Sequence, residues 1–267
     1  MLRRRTFLRN LIGAGVLGAG TPAYAHLLER HSVRIELVPL DLGLGHPLRI
    51  AAISDVHFDP LFETGYLRHI FALIDAAEPD LVCHLGDYVT RSTKRFDEFA
   101  ALAARVQARL GSFAVLGNHD QWSDDRVIVS ALESAGVRVL RNESVPIPGV
   151  SGWQLAGLES YWGGRPNPAA AMPAEADVRF ILLVHEPDPF DIIRDPRARL
   201  QISGHTHGGQ IRAPFFGALR LPSWGRNYDA GLFRDGDRHL YVTRGVGTVS
   251  IPMRFHCPPE ITLFELS

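Results

Sequence analysis

The first half of the chain alternates apolar runs of strand length with helical patterns. Three apolar runs are too short for a helix and predict buried strands over 47–54, 80–86 and 112–117. Apolar residues that recur every three or four positions predict helices over 67–77, 96–110 and 127–136. Because strands and helices alternate, we expect a largely parallel sheet that is covered by helices.

The second half of the chain is richer in strand patterns and has few helical ones. Strands are predicted over 153–160, 179–186, 200–205, 239–245 and 260–266. This change predicts a second, more antiparallel sheet packed on the first, and the run 33–40 is suited to an additional edge strand. No linker rich in Pro, Gly or Ser divides the halves, so we expect one domain built from two sheets.

Length and composition fit a globular domain with a packed core. The chain has 267 residues, of which 46 % are apolar and 21 % charged. A formal net charge of −1 gives no global field that would attract nucleic acid. The two cysteines, Cys83 and Cys257, are too few for a disulfide framework, so we expect free, buried thiols. A monomer is the default expectation.

The first 25 residues have the order of an export signal. Paired arginines in 3–10 precede a short apolar run over 11–20 and the small-residue sequence AYA at 23–25. The apolar run is too short to span a bilayer comfortably. We therefore expect residues 1–25 to be a signal peptide.

The pattern Arg4-Arg5-x-Phe7-Leu8 resembles the twin-arginine export signal. The resemblance implies passage through the twin-arginine translocation machinery and a mature chain that begins at His26. It also implies a location in the periplasm or at the outer face of the cytoplasmic membrane. A plain Sec signal and an uncleaved N-terminal anchor are the alternatives.

Polar residues collect just after the predicted strands, where open α/β sheets bind their ligands. A lone Asp at such a position is often a helix N-cap, and a lone His is often structural. Here, however, five successive strand ends carry such residues, which predicts a shared site. The five groups are Asp55 with His57; Asp87; Asn118 with His119 and Asp120; His185; and His205 with His207.

The side chains in these groups suit divalent metal ions. Carboxylate, imidazole and amide oxygen match Mn²⁺, Fe²⁺, Zn²⁺ or Ni²⁺. No cysteine is among them, which argues against a structural zinc site. The ligands are too many for one ion, whereas two ions that share a carboxylate would use them. Such pairs, about 3.5–4 Å apart, hold the attacking and leaving oxygens of a displacement at phosphorus.

The chain resembles the calcineurin-like metallophosphoesterases in five motifs: Asp55-x-His57, Gly86-Asp87, Gly117-Asn118-His119-Asp120, His185 and Gly204-His205-x-His207. The resemblance covers residues 46–267 and leaves 26–45 as an N-terminal segment with an edge strand. It implies a four-layer αββα sandwich, in which two mixed β-sheets are flanked by helices and a dinuclear metal site lies at the strand C-terminal ends. The sequence over 251–266 and the export signal narrow the resemblance to the exported bacterial YkuE- and YaeI-like phosphodiesterases. That branch is related to the UDP-2,3-diacylglucosamine pyrophosphatases of lipid A synthesis.

The resemblance also implies a role for each polar residue. One ion would be held by Asp55, His57 and His207, the other by Asn118, His185 and His205, with Asp87 bridging both. His119 would be the general acid that protonates the leaving oxygen. Apart from the resemblance, the Asp120 carboxylate is suited to orient His119 and raise its pKa, and it can cap the following helix at the same time. Manganese is the first expectation for both ions.

The activity implied is hydrolysis of phosphoric ester bonds, foremost of phosphodiesters, by attack of a metal-bridging hydroxide. Three alternatives stay open. The first is a pyrophosphatase of the UDP-2,3-diacylglucosamine type, acting on a lipid precursor. The second is a phosphomonoesterase or protein phosphatase, and the third is a non-catalytic metal-binding scaffold. The loop 213–233 mixes aromatic, apolar and arginine residues, which suits a lipid-linked substrate or a peripheral membrane contact.

Several residues near the motifs are weaker candidates. His84 could line the site, although strand alternation could point it elsewhere. Asp59 is expected in a turn, and Trp122 is expected either to wall the site or to join the core. Four arginines are candidates for phosphate contact: Arg212, Arg220, Arg226 and Arg244.

Overall fold

The computed structural model describes residues 21–58 and 63–267. Most of the predicted signal peptide and Asp59 therefore lie outside the described residues. Residues 21–27 are helical, and a 3₁₀ turn follows at Glu29–His31. Within the described ranges, no helix is both long enough and apolar enough to cross a membrane.

The strands of the described chain form two large sheets and one small hairpin. Their bounds are β1 (Arg34–Leu40), β2 (Leu48–Ile53), β3 (Leu81–His84), β4 (Ser112–Ala114), β5 (Val137–Val139), β6 (Glu143–Pro146), β7 (Trp153–Gly157), β8 (Arg179–Leu183), β9 (Ala198–Ser203), β10 (Arg212–Ala213), β11 (Gly217–Ala218), β12 (Gly231–Asp235), β13 (Arg238–Val242) and β14 (Glu260–Leu266). The helices are α1 (Thr64–Ala76), α2 (Phe96–Ala103), α3 (Asn118–Trp122), α4 (Asp125–Ser134) and α5 (Pro168–Ala171).

The first sheet has the order β1-β14-β2-β3-β4-β5. Strands β2 to β5 are parallel neighbours in chain order, as the alternation of strand and helix patterns predicts. The run 33–40 forms β1 at the edge of this sheet, where it pairs in parallel with β14. Since parallel strands share one direction, the loops after β2, β3 and β4 all emerge at the same edge.

The prediction for 260–266 is wrong in one respect, because β14 belongs to the first sheet and not to the second. It lies between β1 and β2 and runs antiparallel to β2. Both of its faces are buried, with Phe264 in the core between the sheets and Leu263 in the core under the helices. An apolar strand of this kind fits an interior position in a covered sheet.

The second sheet has the order β12-β13-β9-β8-β7-β6. Strands β7, β8, β9 and β13 are parallel, and only the outer pairs, β6 with β7 and β12 with β13, are antiparallel. The second sheet thus has one more antiparallel pairing than the first, but it is mainly parallel. The ends of β8 and β9 consequently emerge together, like those of β2 to β4.

Two buried layers hold the sheets and helices together. Ile50, Leu155 and Ile181 belong to the core between the two sheets, while Leu67 and Leu132 belong to the core under α1, α2 and α4. The outer face of the second sheet is covered by α5 and neighbouring loops. The fold is therefore mixed α/β with two sheets flanked by helices, and its fourth layer consists of short helical turns.

The helix predicted over 96–110 is shorter in the structure, where α2 ends at Ala103. Beyond this point the backbone bonds to neighbouring elements instead of continuing the helix. The Gln107 N–H donates to Asp75 Oδ1 at 3.3 Å, and the Leu110 N–H donates to the Asp80 carbonyl at 2.7 Å. Tertiary hydrogen bonds have therefore replaced the second half of the helix.

Candidate metal centre

The five predicted groups of polar residues meet at one place in the fold. Asp55 and His57 follow β2, Asp87 follows β3, and Asn118 begins α3 after β4. His185 follows β8, and His205 with His207 follows β9. The seven side chains come from both sheets and are all buried. The site therefore lies at the strand C-terminal ends, where the sequence places it.

One group of ligands consists of Asp55, His57 and His207. The Nε2 atoms of His57 and His207 are 3.1 Å apart, and His207 Nε2 is 3.4 Å from Asp55 Oδ1. Two imidazole nitrogens and a carboxylate oxygen thus face one point. This is the set expected around the first ion.

A second group consists of Asp87, His185 and His205. The Nε2 atom of His185 lies 3.2 Å from Asp87 Oδ2. The same Asp87 oxygen is 3.6 Å from His57 Nε2, which belongs to the first group. Asp87 therefore stands between the two groups, where a bridging ligand is needed.

Asn118 provides an independent sign that an ion fits here. Its side chain is fully buried, and neither Oδ1 nor Nδ2 has a hydrogen-bond partner among the described residues. A buried amide without a partner carries a desolvation cost, so such groups are rare in folded proteins. Coordination of an ion would give the amide oxygen the partner that it lacks.

Hydrogen bonds on the far side of the rings orient the histidine ligands. His185 Nδ1 donates to the Leu85 carbonyl at 2.7 Å, which leaves Nε2 facing the site. His205 Nε2 donates to the Ser223 carbonyl at 2.8 Å, which leaves Nδ1 facing the site. Metal-binding histidines generally have such a partner, because it fixes both ring and tautomer.

Burial and charge make the site receptive to cations. Burial lowers the pKa of His57 to about 3 and that of His207 well below its ordinary value, so both imidazoles are neutral. Burial raises the pKa of Asp55 to about 6. For Asp87 burial acts in the same direction, but His185 and His57 outweigh it and hold the pKa well below its ordinary range. Burial would lower the pKa of His185 as well, but the Asp87 carboxylate outweighs burial and raises it well above its ordinary value. Buried carboxylates beside the neutral His57 and His207 favour the binding of positive ions.

The backbone is held in an uncommon conformation at most of the ligands. Residues other than glycine rarely adopt positive φ, because the Cβ atom then crowds the backbone. Strain of this kind persists where the surrounding structure enforces it, often at functional sites. The ligands with positive φ are Asp55 (54°), His57 (50°), Asp87 (53°), His205 (72°) and His207 (52°).

Glycines give the turn after β9 the space and freedom that it requires. At Gly204 an added Cβ would collide with the side chains of Ser54 and Asp55. Gly208 and Gly209 have φ of 60° and 80°, which glycine adopts without a Cβ clash. The turn can therefore press against the strand end that carries Asp55.

His119 lies beside the ligand groups, close enough to His57 and Asp87 to form a third group of possible ligands with them. Its Nδ1 is 2.9 Å from the Thr90 carbonyl oxygen, so Nδ1 is the donor and Nε2 is left free. Its ring meets that of His57 edge to face, with 4.9 Å between centroids. The ring is half-buried, which leaves it open to a substrate.

Asp120 does not have the orienting role that the sequence led us to expect. Its carboxylate accepts backbone N–H groups from Asp87 at 2.8 Å, Tyr88 at 2.8 Å and Gly117 at 2.9 Å. Thr90, and not Asp120, is thus the partner of the His119 ring. Asp120 instead ties the start of α3 to the loop that carries Asp87.

Of the weaker candidates, Trp122 lies at the site and His84 does not. His84 packs against Phe71 and Phe99 on the helix side of the first sheet, away from the ligands. Trp122 is 52 % exposed and walls the site, because its ring meets the rings of His119 and Trp162. The sequence offered no signal for Trp162, which also meets His205 with 5.6 Å between ring centroids.

Two of the four candidate arginines are engaged in ion pairs, and the other two are exposed. Arg212 pairs with Asp229 at 2.8 Å, and Arg244 pairs with Glu36 and Glu260. Arg220 and Arg226 are exposed. Both cysteines are free and buried.

A cavity of about 390 Å³ opens beside the ligands. His57 and His119 line one side of it, and Thr90 and Arg91 lie next to them. A larger surface hollow of about 740 Å³ between α2 and α4 contains none of the ligands. A substrate at the candidate metal centre would consequently extend into the smaller cavity.

Comparison with known proteins agrees with this geometry. The family model of the calcineurin-like phosphoesterases matches residues 48–209, which include all seven predicted ligands. The chain belongs to this family. The phosphoesterase is 34 % identical to phosphodiesterase YaeI of Escherichia coli (strain K12) over 275 residues, which cover 100 % of both chains.

One further relative and one solved structure are similar to this chain. The phosphoesterase is 32 % identical over 282 residues to the uncharacterised metallophosphoesterase YkuE of Bacillus subtilis (strain 168), covering 99 % of this chain and 98 % of YkuE. Its fold resembles the crystal structure of a dimetal phosphatase from Danio rerio, with a TM-score of 0.50 and 12 % identity. That comparison covers 74 % of this chain and 88 % of the phosphatase.

Proposed function

We propose that this phosphoesterase hydrolyses phosphodiesters with two divalent ions, manganese foremost, and with His119 as the general acid. The observation that carries the proposal is the position of Asp87 between two ligand groups, with the free Nε2 of His119 beside them. The name of YaeI, a phosphodiesterase, supports the diester as substrate. Small-molecule and lipid-linked phosphodiesters or pyrophosphates are the substrates that we expect.

In this proposal the ligand groups hold the ions, and His119 transfers a proton. Bound ions would neutralise charge at phosphorus and supply a water of lowered pKa. The hydrogen bond from Nδ1 of His119 to the Thr90 carbonyl fixes the ring, and the acid is therefore the imidazolium form, in which Nε2 carries a second proton that faces the substrate. As the bond from phosphorus to the leaving oxygen breaks, Nε2 gives that proton to the oxygen.

The experiment is hydrolysis of bis(p-nitrophenyl) phosphate by the purified protein, with Mn²⁺ and with chelator. The matching monoester, p-nitrophenyl phosphate, is measured beside it. We expect chelator-sensitive cleavage that favours the diester, and loss of most of it in Asp87→Asn. Faster cleavage of the monoester would indicate a phosphomonoesterase. No cleavage of any phosphoric ester with two ions bound would indicate a metal-binding scaffold.

A second candidate, a pyrophosphatase that acts on an acylated precursor, is favoured by the hairpin of β10 and β11. Its tip carries Phe215 and Phe216, which are 106 % and 86 % exposed, and Leu219 is 66 % exposed. Large apolar side chains that lie together on a surface often mark an interaction site. The hairpin begins at Arg212, and β11 contacts the turn of His207–Gly209, so we expect the acyl chains of a substrate at the metal centre to reach the hairpin.

UDP-2,3-diacylglucosamine tests this candidate. We expect the double variant Phe215→Ser with Phe216→Ser to slow its cleavage and to leave bis(p-nitrophenyl) phosphate unaffected. Ile192→Ser, at a residue that is 57 % exposed elsewhere, is the control. Equal rates for the double variant and the wild type on the acylated substrate would contradict the candidate.

We also propose export by the twin-arginine machinery to the periplasm or the outer face of the cytoplasmic membrane. The support is the sequence pattern at Arg4 and Arg5 and the short apolar run that follows. Replacing both arginines by lysine should leave the protein in the cytoplasm, as cell fractionation would measure. Unchanged export of that variant would favour the Sec pathway.

A further inference from the structure

The cavity beside His57 and His119 is walled by two segments that lie outside residues 48–209. The 3₁₀ turn before β1 contributes Arg30 and His31, and the loop before β14 contributes residues 246–252. The residues matched by the family model supply the metal ligands. The two outer segments therefore shape the space into which a substrate extends.

The turn that carries Arg30 is fixed to the loop before β14. Glu29 is buried, and its carboxylate accepts the Cys257 N–H at 2.7 Å. The Arg254 N–H donates to the Ala25 carbonyl at 3.1 Å, and His26 Nδ1 is 2.7 Å from the Pro252 carbonyl oxygen. Arg30 is thus placed at the cavity wall by its neighbours on both sides.

The guanidinium of Arg30 has donors to spare. Its side chain is only 16 % exposed, and its Nε is buried without a hydrogen-bond partner among the described residues. One terminal nitrogen lies 3.2 Å from the Glu63 carboxylate, which is 60 % exposed. Ion pairs with so exposed a partner are weak, and a guanidinium has five N–H donors.

The charge of the cavity lining also favours an anion. Arg30 and Arg91 line the cavity, whereas Glu63 is the single carboxylate among the described lining residues. An arginine in such a position binds carboxylate or phosphate through paired N–H groups. Because Glu63 is exposed, it can turn to solvent when a stronger partner arrives.

We infer that this cavity binds the second substituent of the substrate diester and that Arg30 recognises an anionic group, carboxylate or phosphate, on that substituent. The inference rests on the proposed phosphodiesterase function. It places the scissile phosphate at the metal centre, beside His57 and His119. The charged end of the substituent then lies against the turn of Glu29–His31.

Matched diesters test the inference. p-Nitrophenyl butyl phosphate has no second anion, p-nitrophenyl 3-carboxypropyl phosphate has a carboxylate, and a third ester has a phosphate in its place. In Arg30→Gln we expect KM for the charged esters to rise about tenfold, as the loss of a charged hydrogen bond implies. KM for the butyl ester and kcat for all three should stay within about twofold.

Two further variants separate recognition from folding. Arg30→Lys keeps the charge and should retain part of the preference for the charged esters. Arg34→Gln, at an exposed arginine outside the cavity, should change nothing. A rise in KM for the carboxylate or the phosphate ester alone would identify the anion. Equal changes for all three esters, or none, would overturn the inference.

A binding measurement keeps the inference distinct from the proposed function. If the wild-type protein with ions bound cleaves none of the diesters, the phosphodiesterase function fails. Calorimetry then compares 3-carboxypropylphosphonate with butylphosphonate as ligands. A preference for the carboxylate that disappears in Arg30→Gln would support the subsite, and equal affinities would overturn it.

Discussion

The Nε2 atoms of His57 and His207 lie 3.1 Å apart, although the two residues are separated by 150 positions in the sequence. Burial keeps both rings neutral. The contact between two such nitrogens adds little stability if both present lone pairs. A divalent ion held by both nitrogens would make the arrangement favourable.

Substitution of the paired histidines after β9 should remove different ions. We expect His207→Ala to lose the ion of the Asp55 group and His205→Ala the ion of the Asp87 group. Activity should fall by roughly 100-fold or more in each, since even partners of metal ligands are worth 10- to 100-fold. Elemental analysis would count ions per chain. The exposed His69→Ala is the control, and two retained ions in both variants would contradict the assignment.

His119→Gln should keep both ions but lower kcat. We expect a loss of about 10²- to 10⁴-fold for an alkyl leaving group, which needs a proton as it departs. The loss should be smaller for p-nitrophenolate, which leaves readily without one. Rates for the two kinds of diester, measured with ion content, check this. Equal losses for both would remove His119 from the role of acid.

Gly204→Ala should disturb the position of Asp55 through a steric clash, without removing any candidate ligand. The added methyl group meets Ser54 and the Asp55 carboxylate, so we expect loss of the first ion and destabilisation by about 1–3 kcal/mol. Gly65→Ala is the matched control, because a Cβ there meets open space. It should be neutral or stabilising by up to about 1 kcal/mol. Thermal unfolding and ion content measure both, and similar behaviour of the two variants would contradict the packing argument.

His84 should make the metal-free protein sensitive to acid. Burial lowers its pKa from 6.5 to about 4, so between these values the unfolded chain binds a proton that the folded chain does not. Stability is therefore complete above pH 6.5 and is lost as the pH falls towards 4, by at most about 1.4 kcal/mol per pH unit. His84→Leu should flatten that slope in denaturant unfolding with chelator present. Identical slopes would show that His84 does not contribute.

The meeting of the candidate ligands was predictable because each of them follows a strand whose apolar pattern is clear. The strand ends of parallel neighbours meet at one edge, so sequence order alone brings Asp55, Asp87 and Asn118 together. The partner of His119 was not predictable, since the Thr90 carbonyl is a backbone group that any residue would offer. The sequence showed the Asp120 carboxylate as a possible partner, but that carboxylate accepts backbone N–H groups instead.

Contacts between distant segments were the other features beyond the reach of sequence patterns. The place of β14 in the first sheet depends on pairing with β1 and β2, which no local pattern records. Arg30 reaches the cavity because Glu29 bonds to Cys257 across the fold. Short strands such as β5 and β6 have three and four residues, too few for a clear alternation.

The position of β14 between β1 and β2 also sets the order of events during synthesis. The edge strand β1 is made early, yet its neighbour in the sheet leaves the ribosome only after residues 260–266 have been translated. A nascent chain must therefore keep β1 and the exposed side of β2 unpaired for most of translation. Until β14 pairs with both strands, the backbone N–H and C=O groups along these edges are open to pairing with other chains.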